Sequence, residues 1–243
     1  MFSSFLAVRR LSGWRCALLP DRALLRVTGP DSPAFLQGLM TNDIELLTSR
    51  EWSSLYCMFL NTQGRVLFDA LVYQGGDKDN VFLLDVDQKC SNLAKKHLSM
   101  YKIRRNVTID LDSQYTVFGA FNRDSEVKCP ELSTQSSLVG STFCNGGIQT
   151  PGTAQSWTGE QGEEVKVFPD PRLSALGKRI LVENAQSSQI SRYLPADTVL
   201  CPSEELVQYR CLLGVTEGTA EIAVGKTTPL EYNLGRLQTS LRL

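Results

Sequence analysis

A chain of 243 residues with 42% hydrophobic side chains can bury a sizeable core, as one large domain or two small ones. Its formal net charge of −1 argues against a general phosphate-backbone binder. No stretch approaches the roughly twenty apolar residues that a membrane span requires. The seven cysteines (Cys16, Cys57, Cys90, Cys129, Cys144, Cys201 and Cys211) include no C-x-x-C pair, and His97 is the one histidine that could join them. This excludes the common zinc-site spacings, argues against a self-contained iron–sulfur site, and fits reduced, mostly structural thiols.

In chain order, the first twenty residues carry Arg9, Arg10 and Arg15, several serines and no acid before Asp21. Phe2, Phe5, Leu6, Val8 and Leu11 add an apolar component, and the composition is that of a mitochondrial presequence. We assign it to residues 1–15, with cleavage before Leu24, since Leu24-Leu25-Arg26-Val27 reads as the first core strand. Ser32-Pro33 is a helix start, a capping hydroxyl followed by a residue that needs no N–H. Phe35, Leu36, Leu39 and Met40 mark its apolar face, and Asn42-Asp43 ends it. Two apolar strands follow, joined at Asn61-Thr62-Gln63-Gly64 in a hairpin-like turn. Asp69 interrupts the second strand. A carboxylate between Phe68 and Leu71 is either on the solvent face of a half-buried strand or a ligand-facing acid, because burial without a partner is costly.

Val81 to Asp85 reads as a strand. Cys90, Leu93, Ala94, His97, Leu98 and Tyr101 then share one helical stripe, which sets His97 on or beside a packing face. Lys95, Lys96, Lys102, Arg104 and Arg105 form a basic patch, readable as a solvated surface or as a dock for a polyanion. Strands are expected around Val107–Ile109 and Tyr115–Phe121. Residues 122–164 are polar and aperiodic, and predict an irregular, partly disordered connection with one short strand around Leu138. Strands resume at Val165–Phe168 and Arg179–Val182. Ser203-Glu204-Glu205 opens a helix that Gly214 closes. Strands interrupted by amphipathic helices give an α+β class with a largely antiparallel sheet.

Several spaced blocks carry a family resemblance. Gly29-x-Asp31, Phe35-Leu36-Gln37-Gly38, Thr41-Asn42-Asp43 and Leu60-Asn61-x-Gln63-Gly64-Arg65 through Asp69 resemble the folate-binding family of glycine-cleavage T-protein and bacterial YgfZ. Tyr101-x-Ile103-Arg104-x-x-Val107, Asp170-Pro171-Arg172, Leu176-Gly177-x-Arg179, Tyr209-Arg210-x-x-x-Gly214-Val215-x-Glu217-Gly218 and Pro229-Leu230-Glu231-x-Asn233 are similar to its mitochondrial branch of iron–sulfur cluster assembly factors. The resemblance implies a T-protein/YgfZ-like fold over residues 16–234. It also implies mitochondrial-matrix localisation, an A-type iron–sulfur scaffold protein as partner, no nucleic acid, and a cluster handled only transiently with that partner. Tetrahydrofolate is the cofactor it suggests. Asp69 would lie near the reactive nitrogens, Tyr73 would line the pterin pocket, and Asn61 and Glu231 would join them through their blocks.

The chain departs from the family pattern in two places. Arg210-Cys211-Leu212-Leu213-Gly214 stands where T-protein has Arg-x-Glu-x-Gly, and a leucine cannot accept the hydrogen bonds of a pterin edge. Residues 235–243 do not continue into the family's Lys-Gly-Cys-Tyr-x-Gly-Gln signature and C-terminal barrel, so a C-terminally truncated product is expected. Three functions compete: an assembly factor for [4Fe-4S] proteins, a folate-dependent aminomethyl transferase, and a non-functional fragment.

Overall fold

The structure, a computed structural model, describes residues 13–75, 80–123, 155–158, 164–195 and 197–232, with the backbone alone for 155–158 and 164. Most of the presequence-like start, the site expected for a strand at Leu138, and the 235–243 tail lie outside the described residues.

Period-2 alternation builds two sheets that pack face to face. One has the strand order β3-β4-β5-β2-β6 and is antiparallel throughout: β2 is Arg22–Thr28, β3 Ser54–Leu60, β4 Val66–Gln74, β5 Val81–Asp87 and β6 Thr108–Asp112. The other runs β11-β1-β7-β10-β9-β8, with β1 at Trp14–Leu18, β7 Tyr115–Asn122, β8 Gln155–Thr158, β9 Glu164–Pro169, β10 Lys178–Glu183 and β11 Val199–Cys201. Only β1–β11 is parallel there. The α+β, mostly antiparallel class read from the sequence is the class observed.

One face of the five-stranded sheet contributes Leu25, Val27, Leu55, Cys57, Phe59, Phe68, Ala70, Val72, Phe82, Leu84 and Val86 to a core. Helices α1 (Ser32–Gln37), α2 (Glu45–Thr48) and α3 (Ser91–Tyr101) cover that face. The opposite face packs Leu24, Tyr56, Met58, Leu71, Tyr73 and Leu83 onto Ala17, Val117, Phe121, Phe168 and Leu181 of the other sheet. Helix α4 (Ser203–Leu212) adds Leu206 and Tyr209 there. Seven of the nine residues of β4 are therefore buried, unlike a strand with one wet face.

Four details depart from the sequence reading. The first core strand is β1, not the Leu24 strand: Cys16 and Ala17 are buried, and Arg15 pairs with Glu205 of α4. Alternation there spans only five residues, too short to stand out beside a basic leader. A cleavage that spares β1 falls before Trp14. The 122–164 connection contains β8, which forms a hairpin-like ladder with the adjacent β9 but is only four residues long, too short for its alternation to stand out. Helix α1 ends at Gln37, and Leu39 and Met40 lie beyond it. Ser32 does not cap it by accepting; its hydroxyl donates to the carbonyls of Gly29 and Asn80. His97 is buried at the core edge, edge-on to Phe68 with ring centroids 5.9 Å apart, as the helical stripe suggested.

Candidate functional site

The alternation that buries apolar side chains between the sheets also carries charges inward. Arg22, Asp69, Tyr73 and Asp85 share the inter-sheet face of their strands with Leu24, Leu71 and Leu83 (i, i+2 spacing). Arg179 shares a face with Leu181 on β10, while Asp170 and Arg172 follow β9. The segment after α4 supplies Glu217 and Gly218. All of these meet in a layer where an unpaired charge would cost several kcal/mol.

Pairing is nearly complete. Arg22 Nε donates to Asp85 Oδ1 at 2.6 Å, and Tyr73 donates its hydroxyl to Asp85 Oδ2 at 3.0 Å. Arg172 grips Asp170 in a fork, Nε to Oδ1 at 2.9 Å and Nη2 to Oδ2 at 2.7 Å. Its guanidinium lies 5.3 Å from the ring centroid of Tyr56. Glu217 is the hub: its carboxylate stands 2.6 Å from Arg172, 2.5 Å from Arg179 and 3.6 Å from Arg22. Arg210 is held beside it by Glu221 and by the Val215 carbonyl. Within this network, Arg179 Nη1 is the one buried side-chain atom without a partner among the described residues.

Asp69 is 2% exposed. Its Oδ1 accepts the Gly218 N–H at 3.1 Å and its Oδ2 accepts the Tyr56 hydroxyl at 3.3 Å. Gly218 can present that N–H because its φ is +77°, and a Cβ there would stand 2.9 Å from Asp87 Oδ2. Asp87 accepts both the N–H and the hydroxyl of Thr219, at 2.7 and 2.6 Å. These two acids pin residues 218–219 across the end of the layer. Gly177, at φ +78°, admits close passage of β7: a Cβ would meet the Ala120 carbonyl at 2.2 Å, and this approach sets the register that aims Arg179 inward.

Burial raises the Asp69 carboxyl, against Arg22 and Arg172, which lower it. For Glu217 burial pulls upward too, but Arg179, Arg172 and Arg22 outweigh it and hold the acid well below its usual range. Asp170 is likewise held low by Arg172 against burial. Burial pushes the Tyr56 and Tyr73 phenols up, with Asp69 and Asp85 adding to the effect. The site therefore holds ion pairs around one carboxyl that burial shifts toward its neutral form.

Of the four residues expected to bind a cofactor, Asp69 and Tyr73 come together in this layer. Tyr73 is buried, stacked on Phe168 at 4.5 Å, with its hydroxyl on Asp85. Asn61 closes the β3–β4 turn, its Oδ1 accepting the N–H groups of Gln63 and Arg65. Glu231 is exposed and accepts from the Thr228 N–H and hydroxyl. Leu212, at the departure from Arg-x-Glu-x-Gly, faces solvent. The partners Arg22, Tyr56, Asp85, Arg179 and Glu217 were not singled out as site residues. Their signal is in the sequence all the same: a charge at an inward position of an apolar strand, twice over in Asp69 and Asp85, demands a cation nearby.

Burial lifts the Cys16 and Cys90 thiols to about 12, with Cys201 and Asp87 contributing respectively, and raises Cys57 and Cys201 as well. Cys211 on α4 is exposed. Among the described residues, no three His, Cys, Asp or Glu side chains converge to hold a metal.

A scan against protein-family models finds no match. The chain is 31% identical over 232 residues to the mitochondrial iron–sulfur cluster assembly factor IBA57 of Mus musculus, covering 91% of this chain and 56% of that one. For the Homo sapiens protein of the same name the values are 31% over 231 residues, 92% and 57%. The chain thus spans somewhat over half the length of these curated relatives. Its fold matches the glycine cleavage system aminomethyltransferase T of Bartonella henselae with a TM-score of 0.63 at 14% identity, over 90% of this chain and 55% of that one. The chain is thus similar in sequence to mitochondrial iron–sulfur cluster assembly factors and shares the fold of a glycine-cleavage aminomethyltransferase.

Proposed function

We propose that this chain serves iron–sulfur cluster assembly in the mitochondrial matrix, docking an A-type scaffold protein rather than transferring a one-carbon unit. One observation carries the reading. The acid that the family resemblance assigns to folate chemistry, Asp69, has both carboxylate oxygens engaged inside the protein and is sealed by Gly218 and Tyr56. As arranged, these residues do not fit a folate. Admitting one would lift residues 217–219 away and strip Arg172 and Arg179 of Glu217. The names of the mouse and human relatives, which are mitochondrial assembly factors, support the same reading.

The cluster is cargo in this account and stays on thiolates of the partner. Four of the five described cysteines are held as thiols by burial, and a protonated thiol is a poor iron ligand. What the chain offers is a preformed surface on a rigid, cross-braced sandwich. The test is anaerobic size-exclusion chromatography of the chain with an A-type scaffold carrying a reconstituted cluster. Co-elution with the cluster's visible absorbance is expected. Separate elution, together with tetrahydrofolate-dependent turnover of an aminomethyl donor, would overturn the proposal.

A further inference from the structure

The turn that joins α3 to β6 is built unlike the rest of the surface. Met100, Tyr101 and Ile103 are 59%, 40% and 76% exposed, three large apolar side chains within four residues. Single exposed apolar residues are ordinary, but a contiguous group at a protruding turn is not. Lys96, Lys102, Arg104 and Arg105 surround them, all exposed and none in an ion pair among the described residues. Lys95 is close by and pairs with Asp110 at 3.2 Å. Asp31, the other nearby acid, accepts the Asn106 N–H at 2.7 Å. Counting Lys95, Lys96, Lys102, Arg104 and Arg105 against Asp31 and Asp110, the locality carries +3 in a chain whose formal net charge is −1.

The turn is also held in a costly shape. The Arg105 N–H donates to the Lys102 carbonyl at 2.8 Å, which places Ile103 and Arg104 at the two central positions. Arg104 there has φ +59°, a conformation that usually goes to glycine or asparagine. The base is fixed by the Asp31–Asn106 bond and by Leu98 and Val107, both buried in the helix-side core. A rigid base, a strained tip, an apolar point and a cationic ring make a preorganised wedge. Cations at the C-terminal end of α3 suit the helix dipole, but the dipole gives no reason for Ile103 to point into water.

We infer that this turn docks the chain on an anionic phospholipid bilayer, with Met100 and Ile103 entering the headgroup–acyl boundary and the four free cations lying among lipid phosphates. The chemistry of such a surface, apolar beneath and negatively charged above, is the complement of the patch. A basic patch that bound nucleic acid through phosphates alone would have no use for the aliphatic tip. The association is peripheral: no described helix is long and apolar enough to cross a membrane. It is independent of the reading of the buried ion network.

The experiment is flotation of the full chain with vesicles of phosphatidylcholine containing about one-third phosphatidylglycerol, against pure phosphatidylcholine. Binding is expected only to the anionic vesicles, and it should weaken with salt. Lys102→Ala with Arg105→Ala should lower partitioning about thirtyfold, at about fivefold per basic residue. Met100→Ser with Ile103→Ser, which leaves the charge unchanged, should lower it about tenfold. Both double variants should melt at the parent temperature, because every altered side chain is exposed. Equal binding to neutral vesicles, no binding to anionic ones, or an unaffected Met100/Ile103 variant would overturn the inference. So would retention on a single-stranded RNA probe in place of vesicles, which would assign the patch to nucleic acid.

Discussion

Replacing Glu217 with Gln removes the hub of the buried network while keeping its shape. In the parent, one carboxylate serves Arg172 at 2.6 Å and Arg179 at 2.5 Å, with Arg22 at 3.6 Å. At an effective dielectric of about 20, unit charges about 4 Å apart attract by about 4 kcal/mol. The desolvation of both partners offsets much of that in the intact network, but the variant leaves three guanidiniums buried with only Asp170 and Asp85 to balance them. Breaking a buried pair from one side costs about 3–5 kcal/mol. For a chain of this size that lowers Tm by about 6–20 °C. The assay is urea and thermal unfolding followed by circular dichroism, with a cooperative parent transition as the baseline. The sign of the pH dependence is a second readout. Because the folded Glu217 titrates well below its ordinary value near 4.5, its contribution is complete above that pH and lost as pH falls through the folded value. Parent and variant curves should therefore be far apart at neutral pH and converge in acid. A variant within about 1 kcal/mol of the parent at pH 7 would refute the assignment of Glu217 as the hub.

Asp69→Asn should cost less than Asp69→Ala at pH 7, because burial raises the folded carboxyl above its ordinary 3.8 and stability falls as pH rises from that value toward the folded one. Asp69→Ala should instead cost about 1–3 kcal/mol, leaving the Gly218 N–H and Tyr56 hydroxyl without their acceptor; equal melts for the two variants would contradict the geometry. His97 is lowered below 6.5 by burial, so its contribution is present above that pH and lost as pH falls toward the folded value; His97→Leu should flatten the stability profile between pH 7 and 5, and an unchanged slope would count against it. Gly177→Ala should destabilise by well over about 1 kcal/mol, because φ +78° and the Ala120 carbonyl at 2.2 Å both exclude a Cβ; a parent-like melt would show that β7 and β10 are spaced more loosely.

Strand and helix order was legible where periodicity is long. The β3–β4 hairpin, the β5 strand and the His97 helix fall close to where alternation and the helical stripe put them. What the local pattern could not show was pairing across distance. β1 is short, and it is a strand because β7, far along the chain, offers it a ladder; β8 pairs with its neighbour β9, but four residues are too few to show alternation. The same limit applies to the site. Asp69 is marked by the apolar strand around it, yet its fate depends on Gly218, 149 positions away, and on a hub acid in a loop. An inward charge on a strand says that a partner exists, and only the packing of the second sheet says which. Asn61 and Glu231 belong to motif blocks that their turns explain: each satisfies backbone or hydroxyl groups within four residues of itself.

The most direct test of the account is hydrogen exchange at the Gly218 and Thr219 amides, with and without tetrahydrofolate. Both donate to buried or half-buried carboxylates, Gly218 to Asp69 and Thr219 to Asp87. If the centre of this T-protein-like fold is a sealed ion network that braces a docking surface, both amides exchange only with global unfolding and tetrahydrofolate changes nothing. Fast exchange in the free chain that becomes slow when tetrahydrofolate is added would show an open site that the cofactor closes, and would return the chain to folate chemistry.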